Sequence, residues 1–489
     1  MSALNLDLFI DGAWTPGSSG DRIKVTNPAR PAEVVGSIPA GTSADVGRAV
    51  DAASRAQRAW ASRSLEERCA LVKAAGEALA AAAPTAGTTL TREMGKVLAE
   101  SMMDFGASAF GWSALVDDVE GVTAALSHVI DDDFGSIEVR RRPVGVVGAI
   151  VPWNWPIALL GVKVGPALVA GNTIVAAPSP FASLAVLQAA EALSSVLPPG
   201  VVNVVTGQGD QVGAALVAHP TVAMIAFTGG VEVGREVASS AGRGLKRTVL
   251  ELGGNDAAVL LDDVAITDEL IASLAAGFSM TSGQVCFAIK RLYVHQSKYA
   301  EVVGKLKDAL AMTVVGDGLD PEVTMGPLAN APQHARFDDL MKLTERQGAN
   351  VQELGRLKSD GVLGSDGFFQ LPKLITDVSP EAPIVVKEQF GPALPILPFI
   401  DDAEAVDLVD STAFGLTASI WSSDSSRARA VAAKVSTGVA FINQHGMLAF
   451  DPRAPFGGTK ESGYGREMGI EGMLEFTWTQ VLNDRHVSM

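Results

Sequence analysis

The sequence predicts an α/β protein with two parallel-sheet units and a helical layer. From residue 139 onward, short β-branched runs punctuated by Gly and Pro alternate with helical segments, which is the pattern of βαβ units. A second alternation of the same kind starts near Ala257. Before both, residues 45–115 are rich in Ala, Leu, Glu and Arg at helical spacing. The length of 489 residues accommodates two or three such domains.

Each predicted element follows from its own local pattern. In the first unit, strands are predicted at 144–151, 173–176, 201–205 and 222–227, and helices at 183–193 and 211–218. In the second unit, strands are predicted at 257–261, 291–294, 384–386, 418–421 and 439–442. The apolar stretch 144–175 carries three prolines, two asparagines and Lys163, so it predicts a strand, a loop and a buried helix rather than a membrane span.

Composition and charge exclude several function classes. Hydrophobic residues make up 47% and charged residues 19% of the chain, which argues against disorder. The net charge of -17 argues against a nucleic-acid partner, which would require a basic face. The amino terminus has no basic segment followed by an apolar one, and the chain has only two cysteines, so we expect a cytoplasmic protein. One of them, Cys69, lies in an amphipathic helical pattern and is expected to be a packed thiol.

The other cysteine, Cys286, is the leading chemical candidate. It lies in the small, nearly uncharged run Ser-Gly-Gln-Val-Cys-Phe-Ala at 282–288, where a thiol can face a substrate. From this run alone, a nucleophile and a buried structural thiol are equally good explanations.

Glycine-rich loops provide candidate phosphate sites. The run Phe-Thr-Gly-Gly-Val-Glu-Val-Gly at 227–234 follows a predicted strand and opens a helix. Its spacing resembles a P-loop, but Arg235 and Glu236 replace the required Lys and Ser/Thr, so nucleoside triphosphate chemistry is not expected. The run 207–213 is one residue off a dinucleotide fingerprint. Taken alone, either loop also fits an ordinary strand-to-helix turn.

Two further residues are placed for catalysis. Glu251 ends a β-branched run just before a glycine pair, where a carboxylate can act as a general base or simply cap a helix. Asn154 lies in the turn Pro-Trp-Asn-Trp-Pro at 152–156, and its amide can donate to a developing oxyanion or merely cap the turn. The runs 387–392 and 455–463 are typical of loops shaped around a ligand.

Together these motifs resemble the NAD(P)-dependent aldehyde dehydrogenases over nearly the whole chain. The matching runs lie in one order along the sequence: 9–14, 26–28, 93–96, 152–156, 171–173, 227–229, 251–254, 283–286, 388–392, 455–458 and 465–467. The resemblance implies an aldehyde dehydrogenase-like α/β fold with a Rossmann-type cofactor domain (1–122 and 143–253) and an α/β catalytic domain (254–460). It also implies a small β oligomerisation arm with a tail (123–142 and 461–489), and hence a homodimer or homotetramer.

The resemblance also implies a mechanism without a metal ion. Cys286 matches the nucleophile, which attacks the aldehyde to give a thiohemiacetal and then a thioester. Asn154 and the Cys286 N–H match the oxyanion donors, each typically worth ~3 kcal/mol. Glu251 matches the base that activates water, which favours hydrolysis over transfer to coenzyme A. Lys163 matches a lysine proposed to assist proton movement, although a buried ion pair explains it equally well.

Cofactor contacts follow from the same resemblance. The matching positions are Trp153, Gly229, Gly230, Gly234, Glu388 and Phe390, together with Ser179. The family usually has Lys and Glu around Ser179 to bind the adenosine ribose, and this chain has Ala177 and Pro180 instead. NAD is therefore the expected cofactor, with NADP as the alternative.

The substrate is expected to be a neutral apolar or aromatic aldehyde. Relatives acting on succinic semialdehyde often carry Arg before the Lys163 position, where this chain has Val162. Against this, Arg453 lies in the loop 443–455 and provides a possible anchor for an anion, while His445 in that loop is expected to be a wall residue. A semialdehyde dehydrogenase, a coenzyme A-acylating enzyme and a catalytically inactive binding protein are the alternatives.

Overall fold

The computed structural model describes residues 3–133, 135–358 and 366–485. The predicted domain ranges also include residues 1–2, 134, 359–365 and 486–489, which lie outside the described residues. The α-helices are α1 Ser43–Ala61, α2 Leu65–Met94, α3 Leu98–Val116, α4 Val119–Leu126, α5 Pro156–Val169, α6 Ser183–Ser194, α7 Ala214–Ala218, α8 Val231–Arg243, α9 Asp268–Ser279, α10 Tyr299–Ala311, α11 Ala331–Arg346, α12 Pro383–Val386, α13 Asp402–Asp410, α14 Ser425–Ala432 and α15 Gly469–Glu475.

The strands of the described residues form two large sheets, two three-stranded sheets and two two-stranded sheets. They are β1 Leu4–Asn5, β2 Leu8–Ile10, β3 Ala13–Thr15, β4 Arg22–Asn27, β5 Arg30–Pro39, β6 Ser127–Asp132, β7 Gly135–Pro143, β8 Val146–Val151, β9 Thr173–Pro178, β10 Val202–Val204, β11 Val222–Thr228, β12 Arg247–Glu251, β13 Asp256–Leu260, β14 Ile289–His295, β15 Val314–Val315, β16 Asn350–Glu353, β17 Arg356–Leu357, β18 Lys373–Thr376, β19 Ala393–Phe399, β20 Phe414–Gly415, β21 Thr417–Trp421, β22 Val439–Ile442, β23 Thr459–Lys460, β24 Gly463–Tyr464 and β25 Thr477–Arg485.

The first large sheet has the order β24-β12-β11-β8-β9-β10-β2-β3, and its five central strands are parallel. Both faces are covered, because alternate side chains enter two different cores. Val147 and Ala149 pack into the core that contains residues of α2, α5 and α6. Val146 and Val175 pack into the core shared with α1 and α8. This burial on both faces explains why the strands read as continuous apolar runs.

The second large sheet has the order β16-β18-β19-β14-β13-β21-β22 and is parallel except for β16. It is also buried on both faces, by two further apolar cores. The carboxyl end of β12 in the first sheet, at Glu251, and the approach to β14 in the second, at Cys286, both border the site described below.

An arm of three antiparallel strands, β25-β7-β6, connects sequence positions more than 300 residues apart. Several of its apolar side chains are exposed: Val129, Ile130, Trp478, Val481 and Leu482. Within the described residues, no helix is long and apolar enough to cross a bilayer.

The predicted strand at residues 384–386 is wrong. These residues form the helical turn α12, in which the N–H groups of Val385 and Val386 both donate to the carbonyl of Ala382, at 2.8 and 3.1 Å. Pro383 occupies the first helical position, where its missing N–H carries no penalty. The apolar run reflects burial in the second-sheet core rather than strand pairing. The helix predicted at 211–218 is α7, preceded by a π-helical turn at Gly209–Gly213.

Candidate active site

Cys286 ends a loop with unusual backbone geometry. Thr281, Ser282 and Gly283 are consecutive left-handed residues, with φ of 51°, 58° and 71°. Glu100 accepts a hydrogen bond from the Thr281 N–H at 2.9 Å, and the Ser282 hydroxyl donates to the Gly326 carbonyl at 2.8 Å. Strained backbone of this kind persists only where surrounding contacts fix it, and it is common at functional sites.

The sulfur of Cys286 lies where two cavities meet. One cavity is bordered by Glu251, Phe450 and Phe456, and the other by Trp153, Gly230 and Glu388. Only Leu159, Thr228 and Cys286 line both among the described residues. This position, between two ligand-sized spaces, distinguishes Cys286 from a purely structural thiol such as Cys69, which is buried in α2.

The surroundings of Cys286 oppose its ionisation. Burial raises the pKa of the thiol, and the negative charges of Asp256, Glu251 and Glu388 raise it further, against the Phe287 N–H, which lowers it. The thiol is therefore neutral at pH 7, and forming the thiolate requires a base or a positive charge close by.

Asn154 is held beside the nucleophile by its turn. This turn joins β8 to α5, and the Asn154 side-chain amide donates to the Gln284 carbonyl at 2.9 Å. Lys96 donates to the main-chain carbonyl of Asn154 at 3.0 Å. An amide has two N–H groups, and one of them is not engaged by any described residue. The structure thus brings Asn154 and Cys286 to the same cavity, while the role of Asn154 as an oxyanion donor stays a prediction.

Glu251 is buried without a hydrogen-bond partner for either carboxylate oxygen among the described residues. A Cβ at Gly457 would lie 2.8 Å from its Oε1, so the glycine keeps this space open. The pKa of Glu251 is raised well above its ordinary value by burial and by the charge of Glu467, and the charges of Lys163 and Arg466 oppose that rise. A raised pKa makes the ionised carboxylate a stronger base, and Glu251 lines the same cavity as Cys286.

Lys163 is fully buried and forms an ion pair with Glu467, a partner that the sequence did not identify. Its ammonium contacts the Glu467 carboxylate at 2.5 Å and the Thr228 hydroxyl at 2.6 Å. Thr228 in turn pairs with Glu251 in the register of β11 and β12. Glu467 is far away in sequence, and although it lies in the matching run 465–467, nothing in that run connects it with Lys163.

The second cavity has the features of a dinucleotide cleft. The amino terminus of the 13-residue helix α8 begins after Gly230, where an added Cβ would meet nothing within 4 Å, so backbone amides are accessible to a phosphate. Gly229 and Gly234 are required by packing, because an added Cβ would lie 2.5 Å from the Phe227 ring and 2.4 Å from Leu252, respectively.

Aromatic and acidic residues border the other end of this cleft. The rings of Trp153 and Phe390 meet edge to face at 5.5 Å. Glu388 accepts a hydrogen bond from the Gly254 N–H at 3.0 Å, and burial raises its pKa. A carboxylate beside an aromatic wall fits the ribose and ring of a nicotinamide nucleotide. The cleft, with a volume of about 330 Å³, therefore suits the cofactor that the sequence predicts.

The predicted contact at Ser179 is less direct. Ser179 caps a short turn, accepting from the Phe181 N–H at 3.4 Å, and it does not line the cleft. Phe181, 40% exposed, lines the cleft in its place. Ala177 is buried in β9 and, like Pro180, offers no side-chain hydrogen bond to a ribose.

The first cavity has almost entirely apolar walls. They include Trp112, Leu115, Val162, Met447, Phe450 and Phe456. Phe450 contacts the rings of Phe456 and Phe287 edge to face, at 5.1 and 4.8 Å. No Lys, Arg or His is among the described residues that line it, and its acids are Glu251 and Glu467. The cavity thus favours a neutral apolar ligand over an anion.

Neither Arg453 nor His445 of the loop 443–455 lines the first cavity, so neither is placed to bind an anion there. Arg453 is exposed and paired with Asp451, with Nε and Oδ1 2.9 Å apart, and it does not line the first cavity. His445 is buried with its Nε2 2.7 Å from the Phe287 carbonyl, and burial lowers its pKa to about 4. It lines a separate cavity beside α9 and not the first cavity, so it is not a wall residue of the space that reaches Cys286. Within the described part of the chain, no group of His, Cys, Asp and Glu is arranged to hold a metal ion.

Comparisons with known proteins agree with this geometry. The model of the aldehyde dehydrogenase family matches residues 14–482. The chain is 36% identical over 487 residues to phenylacetaldehyde dehydrogenase of Pseudomonas fluorescens, covering 97% of this chain and 95% of the relative. It is 35% identical to glutarate-semialdehyde dehydrogenase of Pseudomonas aeruginosa, covering 96% of each. Betaine aldehyde dehydrogenase of Staphylococcus aureus, crystallised with NAD+, superimposes with a TM-score of 0.91 at 29% identity over 98% of this chain and 94% of that one.

The fold and these matches define an oxidoreductase that acts on aldehydes. The chain belongs to the aldehyde dehydrogenase family. The predicted family, fold class and enzyme class are thereby confirmed, and so is an NAD(P) cofactor, the type that this family uses.

Proposed function

We propose that this protein oxidises a neutral, apolar or aromatic aldehyde to the carboxylic acid, with NAD as its preferred cofactor. The observation that carries the proposal is the first cavity, which reaches Cys286 through apolar walls and contains no cationic side chain among its described lining residues. An aldehyde bearing a carboxylate would be desolvated there beside Glu251 and Glu467 without a counter-ion.

In the proposed mechanism, Cys286 attacks the aldehyde carbon after losing its proton to Glu251. The oxyanion of the resulting thiohemiacetal accepts hydrogen bonds from the free N–H of Asn154 and the Cys286 main chain, donors that each contribute ~3 kcal/mol in comparable sites. NAD(P)+ held in the cleft beside Trp153, Glu388 and Phe390 would supply the oxidising power, as the acceptor of the hydride that this adduct loses. A thioester remains on Cys286.

Once the proton taken from Cys286 has passed from Glu251 to solvent, the carboxylate is ionised again and acts a second time, as the base for hydrolysis. Its unpartnered oxygens are available to take a proton from water, which attacks the thioester and releases the carboxylic acid. The Lys163–Glu467 pair sets the charge next to Glu251 and offers a buried route for the proton. The presence of this base supports hydrolysis over transfer to coenzyme A and argues against a catalytically inactive protein.

The proposal extends to the cofactor contacts, the domain ranges and the oligomeric state. Trp153, Gly229, Gly230, Gly234, Glu388 and Phe390 bind the cofactor, with Ser179 shaping the turn beside it. Because Ala177 and Pro180 leave the adenosine ribose without side-chain hydrogen bonds, NADP is the alternative cofactor. We also propose the domain ranges 1–122 with 143–253, 254–460, and 123–142 with 461–489, and a homodimer or homotetramer that joins through the arm.

A semialdehyde is the second candidate substrate, and similarity to glutarate-semialdehyde dehydrogenase of Pseudomonas aeruginosa favours it. Val162 in the cavity wall and the pairing of Arg453 with Asp451 count against it.

A panel of aldehydes, each measured as kcat/KM with NAD+ and with NADP+, tests the proposal. The panel pairs phenylacetaldehyde and octanal with glutarate semialdehyde and succinate semialdehyde. We expect the neutral aldehydes to exceed the semialdehydes by at least ~100-fold, the factor that about 3 kcal/mol of unpaired charge would produce. A preference for the semialdehydes would overturn the assignment of the cavity.

Cys286→Ala is the matched control in the same panel. This variant should bind NAD+ as the wild type does, measured by tryptophan fluorescence, and should oxidise none of the aldehydes. Retained turnover would rule out the nucleophile. Mass spectrometry of products with and without coenzyme A separates hydrolysis from acyl transfer.

A further inference from the structure

Lys290 is a buried cation beneath the active site that the mechanism above does not use. It lies in β14, which is flanked by β13 and β19, and its side chain is 1% exposed. Burying an ammonium costs several kcal/mol unless partners compensate for the lost water. Its presence in an apolar strand therefore requires specific partners.

The partners of Lys290 belong to the nucleophile loop and the cofactor cleft. Its ammonium donates to the carbonyl of Gly283, the third of the left-handed residues before Cys286. It also lies 5.4 Å from the ring centre of Phe390, which lines the cofactor cleft. One side chain thus contacts both the turn that presents the thiol and a wall of the cleft.

Lys290 also lies within a cluster of opposite charges. Glu388 from the loop before β19, Asp256 at the start of β13 and the thiol of Cys286 all favour its charged form, whereas burial and Arg336 of α11 oppose it. Burial dominates and lowers the pKa of Lys290 to about 8, while burial raises the pKa of Asp256 to about 7. Below pH 8 the ammonium is therefore a buried positive charge that acts on both Glu388 and Asp256. Arg291 also acts on Asp256, and Arg336 also acts on Glu388.

We propose that Lys290 is a positioning residue for the nucleophile: it fixes the Gly283 carbonyl and supplies the positive charge that offsets Glu388 and Asp256 beside Cys286. The proposal rests on the assignment of Cys286 as the nucleophile. Three carboxylates oppose the thiolate. The attraction between the Lys290 ammonium and the Cys286 thiolate makes thiolate formation less unfavourable. The same hydrogen bond keeps the strained turn in the conformation that presents the sulfur to both cavities.

Alkylation of Cys286 by iodoacetamide, measured against pH in protein without cofactor, tests this role. The rate reports thiolate formation and requires no turnover. The variants are Lys290→Met and Lys290→Gln, which remove the charge, and Lys290→Arg, which keeps it. Modification is read by mass spectrometry on the peptide that contains Cys286; Cys286→Ala gives the background, and the buried Cys69 reports unfolding.

We expect Lys290→Met and Lys290→Gln to slow alkylation at pH 8 about tenfold, which is the effect of raising the pKa of Cys286 by one unit. Lys290→Arg should react within about threefold of the wild-type rate. Folded uncharged variants that react at the wild-type rate would overturn the proposal. Equal slowing in Lys290→Arg would also overturn it, because packing would then explain the effect. Failure of both uncharged variants to fold, judged by circular dichroism, would assign Lys290 to the core instead. None of these outcomes bears on the nucleophile itself, which only turnover by Cys286→Ala would refute.

Discussion

At the scale of single residues, the proposed acid–base chemistry centres on Glu251. Sequence motifs predicted Glu251, Lys163 and Asn154, because each lies in a short run with a recognisable pattern. They did not predict that Glu467 faces Lys163, since the two are 304 positions apart and only the fold brings them together. The structure adds a physical reason for the behaviour of Glu251, because burial and Glu467 both raise its pKa.

Glu467→Gln should move the acid limb of the kcat profile to lower pH. Glu251 works as a base only when ionised, so activity is lost as pH falls through its pKa. Removing the Glu467 charge lowers that pKa, and the unpaired Lys163 ammonium lowers it further. The measurement is kcat against pH under saturating substrate.

Glu251→Gln is the control for this limb. This variant should show a burst of reduced cofactor followed by a steady-state rate at least ~100-fold lower than that of the wild type. Its profile of kcat against pH should lack the acid limb that ionisation of Glu251 produces. An acid limb that stays in place or moves upward in Glu467→Gln would contradict the electrostatic account.

At the scale of elements, periodicity predicted most of the helices and strands that border the site. Strand β11, helix α8 and the turn between β8 and α5 all lie where β-branched runs, glycines and prolines indicated. The error at residues 384–386 shows the limit, because three buried apolar residues look alike in a strand and in a helical turn. The contacts that hold the 152–158 turn could not be predicted, since they come from the distant segment 96–104.

A buried ion pair positions this turn. Lys96 and Asp104 are both fully buried, with Nζ and Oδ2 2.7 Å apart. Lys96 donates to the Asn154 carbonyl and lies 4.1 Å from the ring centre of Trp155, while Asp104 accepts from the Ala158 N–H at 2.6 Å. The pair thus holds the turn that carries Asn154 on both sides.

Lys96→Met should destabilise the protein by about 3–5 kcal/mol, because it leaves Asp104 charged and unpaired in the core. The double variant Lys96→Met with Asp104→Leu should recover most of that loss while kcat falls about tenfold, the scale of about 1.4 kcal/mol from a misplaced oxyanion donor. Thermal unfolding and steady-state kinetics measure the two effects. A stable double variant with wild-type kcat would show that the pair has no part in placing Asn154.

At the scale of the whole molecule, the arm exposes apolar side chains that contacts within a single chain do not cover. Its strands β6 and β25 are edge strands, and apolar side chains such as Val129 (55% exposed) and Val481 (56% exposed) face solvent. Edge strands with exposed apolar residues are rarely left uncovered in native proteins. The arm therefore supports the proposed homo-oligomer.

Val129→Lys combined with Val481→Lys should reduce the molecular mass in solution, because two buried charges at each interface cost several kcal/mol. Size-exclusion chromatography with light scattering measures the mass. Met312→Lys, at a more exposed apolar position (78%) that follows the end of α10, is the control and should leave the mass unchanged. An unaltered mass in the double variant would place the subunit contact elsewhere.

The meeting of the two cavities at one sulfur has a consequence for how this enzyme can change over evolutionary time. Their described walls share only Leu159, Thr228 and Cys286. Substitutions at Val162, Met447 or Phe450 can therefore reshape the space for the aldehyde without altering any side chain that borders the cofactor cleft. Substrate range and cofactor choice can diverge independently in this architecture, as two separately adjustable properties that depend on the same thiol.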